Sequence, residues 1–334
     1  MILARQAVLV TGAAGFIGSF VASRLARMGA RVAACDNFND YYPVSLKHER
    51  VRALLAPHGI RCEAVELADM GQVEALFARV RPAYVVHLAA QAGVRHSIDH
   101  PAAYVQSNLV AFANILEACR RCMPHHLVYA SSSSSVYGAS TEAPFREDDR
   151  TDAPVSFYGA TKKANEALAH SYSHLYGFAS SGLRLFTVYG PWGRPDMAYF
   201  SFAQKMLGGE PIAVYGQGAL ERDFTYIDDI VEALVRVLAK PPAAAGPAAP
   251  HAVFNVGREQ PVRMLDFIGI LEEKLGRRAR IAFQPMHAGD VPLTCADTRT
   301  LRDWVGFAPA TSLEEGLGRF RDWLLAWRAR GGEA

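Results

Sequence analysis

Hydrophobic residues in the first half of the chain recur in one pattern: a short β-branched or apolar run, a turn, then a longer stretch with apolar residues at helical spacing. Runs at 8–11, 31–36, 61–67, 83–88, 127–131 and 180–186 read as strands, and the stretches between them as helices. Parallel neighbours need a crossover, and a crossover helix buries its apolar stripe only against the sheet, so this alternation predicts an α/β fold with helices on both faces. Each crossover should be right-handed. Past residue 187 the alternation loosens into turns, Pro and Gly with short elements between them, which predicts a smaller C-terminal lobe that binds substrate. The expected division is 1–186, with a later return near 225–257, for the sheet domain, and 187–224 with 258–334 for the lobe.

The segment 241–250, PPAAAGPAAP, reads as an exposed loop after a helix ending near Lys240. The amphipathic run 313–327 reads as a terminal helix packed on the second lobe. Apolar periodicity at 108–119 and 163–176 permits a homodimer through two long helices per subunit, although the same stripes could face the sheet.

Composition narrows the function classes. Half of the 334 residues are hydrophobic, enough for a large core, and 35 basic against 33 acidic residues leave a net charge of +2. So small a charge provides no field to gather nucleic acid or a membrane surface. The opening stretch MILARQAVLVTG lacks the regions of a secretory signal and its apolar run is too short to span a bilayer, so a cytoplasmic protein is expected. Cys35, Cys62, Cys119, Cys122 and Cys295 are odd in number, which suits a reducing compartment. The CxxC of Cys119 and Cys122 has no second CxxC or His pair at finger spacing, so no metal is expected.

Candidate chemistry begins at the end of the first strand, where Thr11-Gly12-Ala13-Ala14-Gly15-Phe16-Ile17-Gly18 sets three glycines at a strand-to-helix turn. Gly12 permits the turn, Gly15 lets backbone approach a pyrophosphate, and Gly18 permits close helix packing; the helix N-terminus then offers unpaired N–H groups to the phosphates. The spacing is GxxGxxG. Asp36 ends the second strand, where a carboxylate accepts both ribose hydroxyls of an adenosine and repels a 2′-phosphate, favouring NAD over NADP. Asn37 can bond the same ribose, and Ala89 and Ala90 leave room for a cofactor over the sheet edge. With these glycines the fold reads as Rossmann-type.

Tyr158 and Lys162 stand four apart, on one face of a helix. The lysine charge, with that of a nicotinamide ring, should stabilise a tyrosinate and draw its pKa from about 10 toward neutrality, making Tyr158 a general base. Upstream, a strand ends in the run Ser131 to Ser135, where a hydroxyl can meet the same substrate oxygen.

Together these residues resemble the extended short-chain dehydrogenase/reductases, the NAD-dependent nucleotide-sugar epimerases, dehydratases and decarboxylases. The resemblance covers nearly the whole chain, through TGAAGFIG, DNFNDYY, HLAAQAGVRHS, YASSSSSVYG, YGATK, LRLFTVYGPWGRPDM, RDFTYIDD, FNVG and GDVP. Within the group, DNFNDYYPVSLKHER, AGVRHS and TVYGPWGRPDM are more similar to the UDP-glucuronate 4-epimerases than to the UDP-glucose 4-epimerases. The resemblance implies a cofactor site of Gly12, Gly15, Phe16, Ile17, Gly18, Asp36, Asn37, Leu67, Ala89, Ala90, Gln91, Tyr158 and Lys162. It implies catalysis by Tyr158 and Lys162 with Ser133 and Ser135 near the sugar C4 oxygen. It also implies that Arg222 holds the diphosphate and Asp290 the uridine ribose. Glu66 departs from an Asp usual in the adenine-binding strand end, and His287 stands where UDP-glucose epimerases carry Arg. Dehydratases carry an Asp-Glu pair aligned with Ser134 and Ser135, which argues against elimination of water here.

The implied activity is C4 epimerisation of a UDP-sugar, UDP-glucuronate to UDP-galacturonate, through a 4-keto intermediate whose hexose rotates before hydride returns. With a C6 carboxylate that intermediate is a β-keto acid and tends to lose CO₂. Donors that pin the carboxylate restrain the loss, and the candidates are Arg194, Thr187 and Ser135, with Arg95 second; either arginine could instead be an ion-pair partner. A UDP-glucuronate decarboxylase, a UDP-glucose 4-epimerase and a silent NAD-binding regulator are the alternatives.

Overall fold

The structure, a computed structural model, describes residues 2–332 other than 139, 141, 245 and 287–289, with the side chains of Ser134 and Ser135 also outside the description. Six strands follow the predicted runs: β1 (Ala7–Thr11), β2 (Arg31–Asp36), β3 (Cys62–Ala64), β4 (Tyr84–His87), β5 (His126–Ser132) and β6 (Ser180–Leu185). Six more lie further on: β7 (Thr187–Tyr189), β8 (Pro211–Tyr215), β9 (Glu221–Tyr226), β10 (His251–Val256), β11 (Pro261–Arg263) and β12 (Arg280–Gln284).

The main sheet runs β10-β6-β5-β4-β1-β2-β3, and every pairing in it is parallel. The order reverses between β1 and β4, the switch point at whose carboxyl ends open α/β sheets bind ligands. β3 is shorter than the expected 61–67. The chain leaves the ladder after Val65, whose N–H still reaches the Asp36 carbonyl at 3.1 Å, and Glu66 turns its carboxylate onto the Ala68 N–H. Asp69 then caps the helix Met70–Val80 through the N–H groups of Gly71 and Gln72.

Alternation along the strands sorts the core into two layers. Val8, Val10, Val86 and Val128 enter one, beneath the helices Phe16–Arg27 and Ile227–Leu238. Leu9, Val85, Leu127 and Tyr129 enter the other, beneath Ala111–Cys122 and Phe157–Tyr176. The apolar stripe at 108–119 meets the sheet through Phe112, Ile115, Leu116 and Cys119.

β10 returns to the main sheet beside β6. The other late strands form a three-stranded sheet, β11-β9-β7, and a pair, β12-β8. The terminal helix Leu313–Ala329 buries Leu317, Phe320, Leu324 and Trp327 in the first core layer, against Phe200 and other aromatic rings. No helix among the described residues is long and apolar enough to cross a membrane.

Candidate active site

The glycine loop is shaped by backbone contacts. Gly12 takes a left-handed φ of +68°, and a Cβ there would lie 2.6 Å from the Ala89 nitrogen. A Cβ on Gly18 would lie 2.1 Å from the Gly12 carbonyl oxygen, so the helix Phe16–Arg27 can start only this close to the strand with glycine at that turn. Gly15 caps this helix without a side-chain partner, and no acid stands in the first turn, so its N–H groups keep their affinity for an anion.

Asp36 reads the loop directly: its Oδ2 accepts from the Ala14 N–H at 3.2 Å and its Oδ1 from the Phe38 N–H at 2.8 Å. Lys47, buried, stands 3.7 Å from Asp36 Oδ1 and donates to Asn39 Oδ1 at 2.7 Å; burial lowers its pKa, with Asp36 opposing. Asn39 in turn donates to Gln91 Oε1 at 3.1 Å. Among the described residues the buried Gln91 Nε2 has no partner at good hydrogen-bond geometry, the Tyr104 hydroxyl being the polar group that the side chain approaches. Asn37 donates to Glu66 Oε2 at 3.0 Å, so the side chain expected on the ribose is engaged with the departing acid.

These residues line one cavity of about 390 Å³ that also takes in Leu67, Ala89, Ala90, Ser131, Ser132, Ser133, Tyr158, Lys162, Thr187 and Arg194. The cradle that added Cβ atoms would fill, the uncapped helix start, the ribose-type acid and the buried Gln91 amide together fit a dinucleotide.

On the other wall the helix Phe157–Tyr176 begins at Ser156, whose side chain accepts from the Gly159 N–H. Its face grips the end of β5 at three consecutive residues. Lys162 Nζ donates to the Ala130 carbonyl at 2.9 Å, Glu166 Oε1 accepts from Ser131 Oγ at 2.7 Å, and Tyr158 shares a side-chain hydrogen bond with Ser132. Glu166 is itself held by a buried two-pronged pair with Arg184, at 2.9 and 2.8 Å. Ser133, buried, opens the short helix Ser133–Val136; the Ser135 side chain and His287 lie outside the described residues.

Burial raises the Tyr158 pKa, and the pull against it from within the protein comes from the Arg194 charge and the Ser132 hydrogen bond. The ammonium of Lys162 lies 5.9 Å from the Tyr158 ring centre, and its own pKa is pushed down to about 8 by burial.

Arg194 lines the cavity but is already paired: Nε donates to Asp196 Oδ1 at 3.0 Å and Nη2 to Oδ2 at 2.5 Å. Arg95, Arg222 and Asp290 do not line the cavity. They gather in a second cluster, where Arg95 pairs with Asp290 at 3.2 Å and lies over the Tyr215 ring at 4.3 Å. Burial lowers the Arg222 pKa, with Asp290 opposing and Arg95 adding to the fall. Lys47, Asn39 and Ser132 in the cavity wall, and Arg50 behind it, were not singled out by the sequence, and only membership of quoted motifs could have drawn attention to them. Arg50 is fully buried and donates to the carbonyls of Ala14, Trp192 and Gly193 and to the Tyr42 hydroxyl.

Fold and site define a dinucleotide-dependent enzyme of the short-chain type, and the chain belongs to the NAD dependent epimerase/dehydratase family, whose model matches residues 8–257. It is 45% identical over 327 residues to a probable UDP-glucuronate 4-epimerase of Rhizobium meliloti, covering 94% of this chain and 96% of that one. It is 45% identical over 336 residues to UDP-glucuronate 4-epimerase 2 of Arabidopsis thaliana, covering 98% of this chain and 77% of that one. Among solved structures, the UDP-glucuronic acid 4-epimerase of Bacillus cereus, in complex with UDP-glucuronic acid and NAD, superposes with a TM-score of 0.86 at 33% identity, over 96% of this chain and 99% of that one.

Proposed function

We propose that this chain is an NAD-dependent epimerase that interconverts UDP-glucuronate and UDP-galacturonate at C4 without loss of CO₂. The observation that carries the reading is the meeting, in one cavity, of the glycine loop, the Tyr158 and Lys162 pair, the β5 serines and the Arg194 guanidinium. Identity of 45% over nearly the whole chain with relatives named for this activity supports it.

Tyr158 takes the C4 hydroxyl proton as the C4 hydrogen leaves as hydride, giving a 4-keto sugar. NAD, when bound, supplies the hydride acceptor, the returning hydride and the positive ring charge that draws Tyr158 down from its raised pKa. Ser133 and Ser135 serve the C4 oxygen, joined by Ser132 through its bond to Tyr158, and Lys162 fixes β5 while keeping a cation within reach of the dinucleotide. Asp36 with Asn37, Lys47 and Gln91 surrounds the adenosine side. Arg222 grips the nucleotide diphosphate and Asp290 the uridine ribose, with Arg95 beside them, for which the Arg95 and Asp290 pair must open. Anchoring that end lets the hexose turn over and present its opposite face, and holding the reacting carbons close supplies much of the acceleration.

In this reading residues 1–186 with 225–257 hold the dinucleotide, and 187–224 with 258–334 hold the nucleotide sugar. The enzyme is cytoplasmic, in keeping with five unpaired cysteines. It works as a homodimer along the outer face of the helix Phe157–Tyr176, where Leu175 and Tyr176 stay exposed. Incubation of the purified protein with UDP-glucuronate and no added NAD should give UDP-galacturonate; UDP-pentose as the product, or no product even with NAD supplied, would reject the reading.

A further inference from the structure

The loop that carries Arg194 is held by contacts within the protein. Trp192 holds a left-handed φ of +62°, and a Cβ on Gly193 would collide with the Tyr199 hydroxyl. Buried Arg50 ties the carbonyls of Trp192 and Gly193 to the carbonyl of Ala14 in the glycine loop. At the loop's far end, Asp196 takes the Nε and one Nη2 proton of Arg194 in a two-pronged pair. Tyr41, from the segment after β2, donates its hydroxyl to Asp196 Oδ2 at 3.1 Å and lays its ring 5.8 Å from the guanidinium. Gly93 lets Tyr41 sit there, since a Cβ at Gly93 would lie 2.6 Å from the Tyr41 oxygen.

A guanidinium has five N–H donors in one plane. With its Nε side committed to Asp196, the edge formed by Nη1 and the second Nη2 proton is the one left to meet another carboxylate. Asp196 therefore sets both the plane and the direction of that edge. We propose that Asp196 is a positioning residue that aims Arg194 at the C6 carboxylate of the sugar, and that Tyr41 clasps this pair to the cofactor side of the cavity. The inference rests on the proposed function and names the device that separates epimerisation from decarboxylation.

The chemistry at stake is the loss of CO₂ from the 4-keto intermediate. The C5–C6 bond breaks, its electron pair passes to C5 and the C4 carbonyl as an enolate, and C5 later takes a proton. That path is fast only when the C5–C6 bond stands parallel to the carbonyl π system. A guanidinium held in one plane keeps the carboxylate turned away from that alignment; one free to rotate does not.

The test compares wild type, Asp196→Asn and Tyr41→Phe on UDP-glucuronate, reading the ratio of UDP-pentose and CO₂ to UDP-galacturonate. A ratio of products is blind to a general loss of rate, which a merely structural role would cause. Asp196→Asn is expected to raise the ratio about tenfold or more and Tyr41→Phe about two- to threefold, each with its melting temperature little changed. An unchanged ratio in both variants overturns the proposal, as does an unchanged ratio in Tyr41→Phe should Asp196→Asn form no product. A wild-type protein that leaves UDP-glucuronate untouched instead removes the proposed function, and this inference with it.

Discussion

The two sides of the cavity are built by different physics. On the dinucleotide side the geometry is made by backbone: the left-handed Gly12, Gly18 against the Gly12 carbonyl, and Asp36 gripped by the N–H groups of Ala14 and Phe38. On the sugar side it is made by side-chain charges, some meeting across long stretches of chain, with Arg95 on Asp290, Arg194 on Asp196, and Tyr41 reaching the same Asp196. Backbone geometry admits almost no substitution, whereas paired charges can be exchanged one at a time. A family built this way can keep its hydride chemistry and change its sugar.

The sharpest way to break the comparison is at the residue both sides share. Tyr158→Phe is expected to lower kcat at least about 10³-fold while leaving the melting temperature within about 2 °C, since it removes one hydroxyl whose partner is a serine. Gly18→Ala comes next. Its methyl would meet backbone at 2.1 Å, and we expect a loss of about 3 kcal/mol in urea unfolding together with loss of copurified dinucleotide.

Lys162→Met should act in the opposite sense on stability. Burial lowers the lysine from 10.5 to about 8, which corresponds to a cost of up to about 3 kcal/mol for keeping it charged in the fold. Dinucleotide-free Lys162→Met protein should therefore be more stable at pH 7, by up to that amount, and less active. Because the folded pKa is the lower one, wild-type stability rises with pH between about 8 and 10.5, and the variant's advantage should shrink across that window. Urea melts at pH 7 and pH 10 check the sign. The smallest effect belongs to the sugar side: Arg95 is about half exposed, so Arg95→Ala should change stability by less than about 1 kcal/mol in the same assay.

What could be read from the sequence divides along the same line. Glycines at a strand-to-helix turn, an acid closing the second strand and a tyrosine and lysine four apart are spacings, and spacing survives in one dimension. The main-sheet strands before residue 187 were legible for that reason, and β3 was overextended only because Glu66 turns back to bond its own loop. Within the serine run the resemblance pointed to Ser133 and Ser135, but the partners of the other hydroxyls were not legible. Five equal hydroxyls stand in a row, and only the register of β5 against the helix Phe157–Tyr176 assigns Ser132 to Tyr158 and Ser131 to Glu166. Arg194 was visible as a cation, but Tyr41, 155 residues from Asp196, left no sign of their meeting. Desolvation was the remaining blind spot: it raises Tyr158 and lowers Lys162, and it depends on burial that charge counting does not see.

The account's central claim is that one hydrogen leaves C4 and comes back to it on the other face. UDP-glucuronate carrying deuterium at C4, incubated with the purified enzyme in ordinary water, tests this by mass and proton spectra of the product. The account predicts UDP-galacturonate with the deuterium still on C4; product in which that deuterium has been exchanged for solvent hydrogen would contradict it.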